Sequence, residues 1–444
     1  METILHRNPV IVVGGGLSGL AAAVRLSASG LPVLLLEQRP TLGGRASSFT
    51  DATTGDIVDN GQHLLIAGYD RTLAFAGTIG SRHHLKIQPR PVLTFHHPRR
   101  GFVEFKLHRL PSPMHLVWGI LTSSLFTPAE RLHVLRAGAA IRRRHHSRNT
   151  ETASGEGQTI AQWLDAYGQP ESVREAFWIP LAVSIMNERI ESAPAATFLH
   201  ALQTAFLRHW HDAALVFPDA GLSQIFAEPA EQAIISHGGV VRCNADVREL
   251  QLHQGSITGV RLRDGTDLRC QNLILAVPHG RAAELFPSGV PRPEGLAADL
   301  PLTVSPIVSM HLWFPKTFMD REMVGLIGRT VHWVFRKRTH VSLVISAAHG
   351  VVDRSQEDLV DVAVRELREV FGEGVGPPRH ALVIREKRAT VSFTPLTERL
   401  RPGTETGIKN LYLAGDWTDT GLPATIEGAI RSGEAAAEKV LRNA

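Results

Sequence analysis

The run VIVVGGGLSGLAAAVRLSASGLPVLLLEQ, Val10 to Gln38, leaves little freedom in how this chain begins. Val10 to Val13 is β-branched and apolar throughout, as in a strand buried on both faces. Gly14, Gly16 and Gly19 then complete G-x-G-x-x-G. The Ala- and Leu-rich segment after them reads as a helix that stops at Gly30, well placed at C′. Leu31 to Leu36 is the second strand, and Glu37 and Gln38 stand at its end. Gly14 permits a tight turn, Gly16 lets a pyrophosphate approach, and Gly19 lets helix and strand lie close. Leu17 and Ser18 open the helix, whose first N–H groups are free for phosphate oxygens. Glu37 can accept from ribose hydroxyls, and its charge disfavours a 2′-phosphate. The glycine triplet alone is weak; the strand, helix, second strand and acid at the right spacing make it a βαβ dinucleotide unit.

The chain also ends on a glycine-rich unit. LYLAGDWTDTGLPATIEGAIRSG, Leu411 to Gly433, reads as a strand, a Gly-Asp turn, a loop and a helix. Between the two, Val240 to Pro278 alternates with period two, with turns at Gln254-Gly255 and Asp264-Gly265. It reads as a strand, a β-meander and a strand ending at Ala276-Val277-Pro278. A length of 444 residues allows two domains, and 43% apolar residues fit a globular chain. Cys243 and Cys270 make neither metal-ligand spacing nor a disulfide framework, which fits a reducing compartment. The first apolar run belongs to the fold, so no signal peptide is expected, and no apolar run is long enough to span a bilayer.

Gly43-Gly44-Arg45 follows Glu37 closely, with Arg45 suited to a phosphate or carboxylate. This E…GGR pattern resembles the FAD-dependent amine oxidase and phytoene desaturase superfamily. The resemblance implies non-covalent FAD, and no cysteine lies near the C-terminal motif. It implies an α/β and α+β fold: a Rossmann-type, three-layer ββα FAD-binding domain, discontinuous over 1–80, 215–285 and 390–444. A mixed-sheet and helical substrate domain would take 81–214 and 286–389. The implied cofactor contacts are Gly14, Gly16, Leu17, Ser18, Gly19, Glu37, Gln38, Gly43, Gly44, Arg45, Gly61, Gln62, His63 and Ala276. Val247 would meet the adenine through its backbone. Gly415 and Asp416 would lie near the pyrophosphate and ribityl chain. Thr425, Ile426 and Glu427 would begin the last helix beneath the isoalloxazine, where Ala429 leaves room. No second G-x-G-x-x-G occurs, so electrons would reach the flavin from an external partner.

VDNGQHLLIAGYDRTLAFAGTIG, Val58 to Gly80, sets Asp59, Gly61, Gln62 and His63 just before an apolar helical stretch. With the C-terminal unit it resembles the hydroxysqualene dehydroxylases of bacterial hopanoid synthesis. That resemblance implies loss of an allylic hydroxyl from hydroxysqualene, with hydride from reduced flavin N5 giving squalene. The protein would protonate the hydroxyl, hold the carbon and exclude water. The acid stays open among His63, Asp59 and Glu188, and each also fits a structural role. A carotenoid-type desaturase, an amine oxidase, or a flavin-free prenyl escort on the same fold are the alternatives.

Leu110 to Arg148 joins an apolar run containing Trp118 to a helix carrying Arg131, Arg136, Arg142, Arg143 and Arg144. It reads as a peripheral membrane element, with the protein on the cytoplasmic membrane, or else as core helices with a solvated basic end. The basic run is short and lacks interleaved aromatics, against nucleic-acid binding. The His doublets at His83, His96 and His145 suggest no metal, because neighbouring side chains diverge. Asn149 to Thr159 reads as a polar loop.

Overall fold

Val10–Val13, Val33–Leu36, Asn272–Leu275 and Leu411–Leu413 are apolar runs buried on both faces, and they pair in parallel as such runs do. Val240–Arg242 joins them, giving the strand order 240, 33, 10, 272, 411. This computed structural model describes residues 8–146, 155–293, 295–296 and 302–443. The polar loop expected at 149–159 lies outside the described residues as far as 154; Thr159 then caps the next helix with a capping box.

Period-two alternation divides the parallel sheet between two cores. Val10, Val12, Val33, Leu35 and Ile274 face the helices Leu17–Ala28, Glu228–Ser236 and Ile426–Asn443. Ile11, Val13, Leu34, Leu36, Leu273 and Leu275 face the antiparallel meander Val247–His253, Ser256–Leu262 and Asp267–Arg269. The layers are therefore meander, parallel sheet and helices. The first and last helices touch backbone to backbone: a Cβ on Gly433 would lie 2.0 Å from the Ser18 carbonyl oxygen.

The second sheet has seven strands in the order His380–Ser392, Thr303–Trp313, Val341–Ile345, Trp333–Arg336, Met323–Leu326, Val92–His97 and Gly101–Lys106. It is mixed: Met323–Leu326 and Val92–His97 run parallel, and the other neighbours are antiparallel. The helix Gln356–Phe371 covers one face. Helices between Met114 and Phe206 cover the other, around Trp163, Trp178 and Phe198. The strand His380–Ser392 runs unbroken through residue 390.

The stretch after Asp59 departs from expectation. Asp59 ends the strand Ile57–Asp59, and Leu65–Ile66 is a second short strand paired with Leu215–Val216. The helix starts only at Asp70, because that cross-strand pairing claims the apolar residues first.

Candidate active site

The two glycine loops meet. Gly14 has φ +109°, and a Cβ there would lie 2.4 Å from the Ala276 carbonyl oxygen. The Gly43 N–H donates to Gly15 O at 2.8 Å, and a Cβ on Gly44 would lie 3.2 Å from Gly16 Cα. Gly16 itself faces open space, with nothing within 4 Å of where its Cβ would be. It is the N-cap of the Leu17–Ala28 helix, with no side-chain cap and no acid in the first turn. Among the described residues the buried Ser18 hydroxyl has no partner. An uncapped helix start beside open space, with an orphaned hydroxyl, fits a phosphate group. Glu37 braces this loop: its carboxylate accepts from Gly15 N–H at 2.6 Å and Arg39 N–H at 2.9 Å. Gln38 is exposed.

The C-terminal unit closes on the same place. Arg45 donates to Asp416 Oδ1 at 2.8 Å and to Ala389 O at 2.7 Å. The Gly415 N–H donates to Ser432 Oγ at 3.0 Å. Thr425 Oγ1 accepts the Gly428 N–H at 3.1 Å, capping the last helix, and Ala429 N–H bonds back to Thr425 O. Ile426 is buried. The Glu427 side chain points elsewhere. It accepts from Thr72 N–H and Oγ1 and from Arg71 N–H, capping the Asp70–Thr78 helix, and holds Arg431 at 2.7 Å. Val247 is buried, with its carbonyl accepting from Arg281 at 2.7 Å. Ala276 N–H bonds to Val13 O.

Asp59 and His63 fall in one cluster. The Asp59 carboxylate accepts from Ser48 Oγ at 2.8 Å and Leu222 N–H at 2.9 Å, and Lys337 Nζ stands 3.7 Å away. Burial lowers the Lys337 pKa, and the Asp59 charge works against it. Burial likewise lowers the His63 pKa, with Asp59 again opposing, so the imidazole is held neutral. Beside them the Gln62 Oε1 and Ser309 Oγ atoms are buried with no partner among the described residues, and Gly61 lies against Ser309. Glu188 belongs to a different network. Its carboxylate accepts from Ser392 Oγ at 2.5 Å and Arg189 N–H at 2.8 Å, with His349 Nε2 at 3.2 Å. Among the described residues no hydrogen bond or ion pair joins the two networks. Sequence reasoning missed Lys337, which ends the VHWVFRK stretch beside Arg336 and reads there as one of two solvated charges. It also missed Arg401, which no local pattern marks.

Comparison with known proteins fits this geometry. The profile of flavin containing amine oxidoreductases matches residues 17–441. A hydroxysqualene dehydroxylase of Rhodopseudomonas palustris is 31% identical over 445 residues, covering 97% of this chain and 98% of that protein. A 15-cis-phytoene desaturase of Arabidopsis thaliana is 22% identical, covering 98% and 80%. Among solved structures, an oxidoreductase from Methanosarcina mazei shares the fold at TM-score 0.74 and 16% identity, covering 97% of this chain and 99% of that one. With a profile match along nearly its whole length, this chain belongs to the flavin-containing amine oxidoreductases and is an oxidoreductase of that family.

Proposed function

We propose that this enzyme binds FAD non-covalently and removes the hydroxyl of hydroxysqualene to give squalene. The observation that carries the reading is a row of half-buried apolar side chains continuous with the His63 segment. Phe177, Leu181 and Ile185 recur at helical spacing along one face, and Leu64, Ile66, Phe217 and Ile307 join them on the same core. Partly exposed apolar side chains gathered at the edge of a core would suit an apolar chain. The 31% identity to the Rhodopseudomonas protein supports the specific substrate.

The chain's own residues would divide the work. Gly16, Leu17 and Ser18 would hold the pyrophosphate at the helix start. Glu37 would accept from the adenosine ribose, and Arg45 with Asp416 would flank the ribityl end. FAD, when bound and reduced, supplies a hydride to the allylic carbon. In the net reaction the C–OH bond breaks, a C–H bond forms, and water leaves; two electrons and two protons are consumed. Among the candidate acids we assign hydrogen bonding to the departing hydroxyl to His63. Its ring bonds the Arg45 backbone and has a second nitrogen to offer, whereas the Asp59 and Glu188 carboxylates already accept from neighbours. Asp59 would position His63. The apolar row would keep water from the cationic carbon.

The test is anaerobic. The flavin-loaded protein is reduced with dithionite, given hydroxysqualene in detergent, and assayed for squalene by mass spectrometry. Squalene formed together with flavin reoxidation is the expected result. Reduced flavin that persists beside unchanged hydroxysqualene would sink the reading and favour a desaturase.

A further inference from the structure

Met114, Trp118 and Leu121 lie at i, i+4 and i+7 on the helix Met114–Thr122, and they are 52%, 49% and 43% exposed. One helix face is therefore apolar and uncovered, while the opposite face packs on the strand Gly101–Lys106: a Cβ on Gly119 would lie 2.9 Å from the Lys106 carbonyl oxygen. The next helix, Pro128–His146, packs against this one. Leu132 is 52% exposed, and Arg136, Ala139 and Arg143 follow it along the same exposed stripe. Residues 99–146 contain nine lysines and arginines and two carboxylates, Glu104 and Glu130. Both carboxylates are engaged, Glu104 by Lys106 at 2.5 Å and Glu130 by Thr127 N–H and Ser172 Oγ. No helix among the described residues is long and apolar enough to cross a membrane.

We propose that this face seats the protein on the surface of an anionic phospholipid bilayer. A short helix with an exposed apolar row and a tryptophan suits the boundary between headgroups and acyl chains, where it lies flat and does not span. The adjoining arginine stripe matches the negative charge of anionic headgroups. A protein partner or a second copy would cover the apolar row but gives no reason for the one-signed charge beside it. The inference goes beyond the dehydroxylase reading and does not depend on it, because lipid binding is read without substrate.

The test is co-sedimentation of the flavin-loaded protein with vesicles of phosphatidylcholine, with and without phosphatidylglycerol. Wild type is expected to sediment with the anionic vesicles and to be partly released by high salt. Trp118→Glu with Leu121→Glu should lower the bound fraction about tenfold or more. Arg136→Glu and Arg143→Glu should each lower it roughly fivefold on anionic vesicles only. Flavin content and unfolding temperature report that the variants fold. Should the double variant misfold, quenching of wild-type tryptophan emission by brominated lipid, lost in Trp118→Phe, gives the same answer. The proposal is overturned if wild type stays in the supernatant, if the face variants sediment unchanged, or if they only dissociate a dimer.

Discussion

Arg401 organises the returning loop more than any residue the motifs mark. It is buried, and its guanidinium donates to Leu422 O at 2.8 Å, Thr418 O at 2.5 Å, Asp416 O at 3.2 Å and Trp417 O at 3.5 Å. Its Cζ lies 4.8 Å from the Phe393 ring centre. Burial pushes its pKa down, so its charge is kept at a penalty that the four carbonyls offset. Arg401→Met would leave those carbonyls short of donors, a loss of about 3 kcal/mol or more. The loop holding Asp416 would loosen, and the protein should both melt earlier and shed flavin on gel filtration. Arg401→Lys should rescue little, because an ammonium lacks the planar fork. A Met variant with full flavin content and unchanged unfolding temperature would show that the loop stands without it. The glycines of the first loop were legible because a tight turn and a phosphate approach are local demands. Arg401 was not: it sits in TERLRPG, which reads as a solvated charged stretch, and its partners lie 15 to 21 residues away.

At the level of elements, the Leu17–Ala28 and Ile426–Asn443 helices depend on small residues at their crossing. Gly433→Val would drive a side chain into the Ser18 backbone, 2.0 Å from where its Cβ begins. No rotamer relieves a backbone clash, so the helices must separate, a loss of about 3 kcal/mol or more. Ser18 belongs to the proposed phosphate cradle, so flavin retention should fall with stability. Gly138→Ala on the Pro128–His146 helix is the control. Nothing lies within 4 Å of its Cβ position, and alanine should raise stability by up to about 1 kcal/mol. Denaturant unfolding of both variants checks the pair; equal midpoints would refute the tight crossing. Element types were readable where the period was clean: between Val92–His97 and Gly101–Lys106 the chain turns at a Pro-Arg-Arg-Gly run, which is a turn signal in itself. The pairing of Leu65–Ile66 with Leu215–Val216 was not readable, since two residues carry no period and the partner is 149 to 151 positions distant.

Across the whole molecule, the seven-stranded sheet is tied to the Ile57–Asp59 strand by a chain of side chains that the sequence scatters over some 280 positions. Thr339 Oγ1 donates to His340 Nδ1, His340 Nε2 donates to His311 Nδ1 at 3.0 Å, and His311 Nε2 donates to the Asp59 carbonyl at 3.1 Å. This direction, assigned from the partners at each end, uses every ring nitrogen with both imidazoles neutral. A proton added to His311 meets the His340 N–H, a donor where it needs an acceptor. Lys337, Asp51, Asp56 and His380 border the chain, with Trp313 between His340 and His380. Burial accordingly pushes the pKa of His311 down to about 4 and that of His340 to about 3. Below the ordinary histidine value the unfolded chain takes protons that the folded chain refuses. Stability is therefore full above about pH 6.5 and falls as the pH drops toward 4, by roughly 3 kcal/mol for the first proton of the pair. The two rings touch, so their contributions do not add. His340→Asn should flatten part of this acid loss while lowering stability at neutral pH. Urea unfolding from pH 7.5 to 4.5 measures both slopes. Parallel slopes in wild type and variant would mean that the histidine chain does not set how firmly the substrate sheet is held against the Ile57–Asp59 strand in acid.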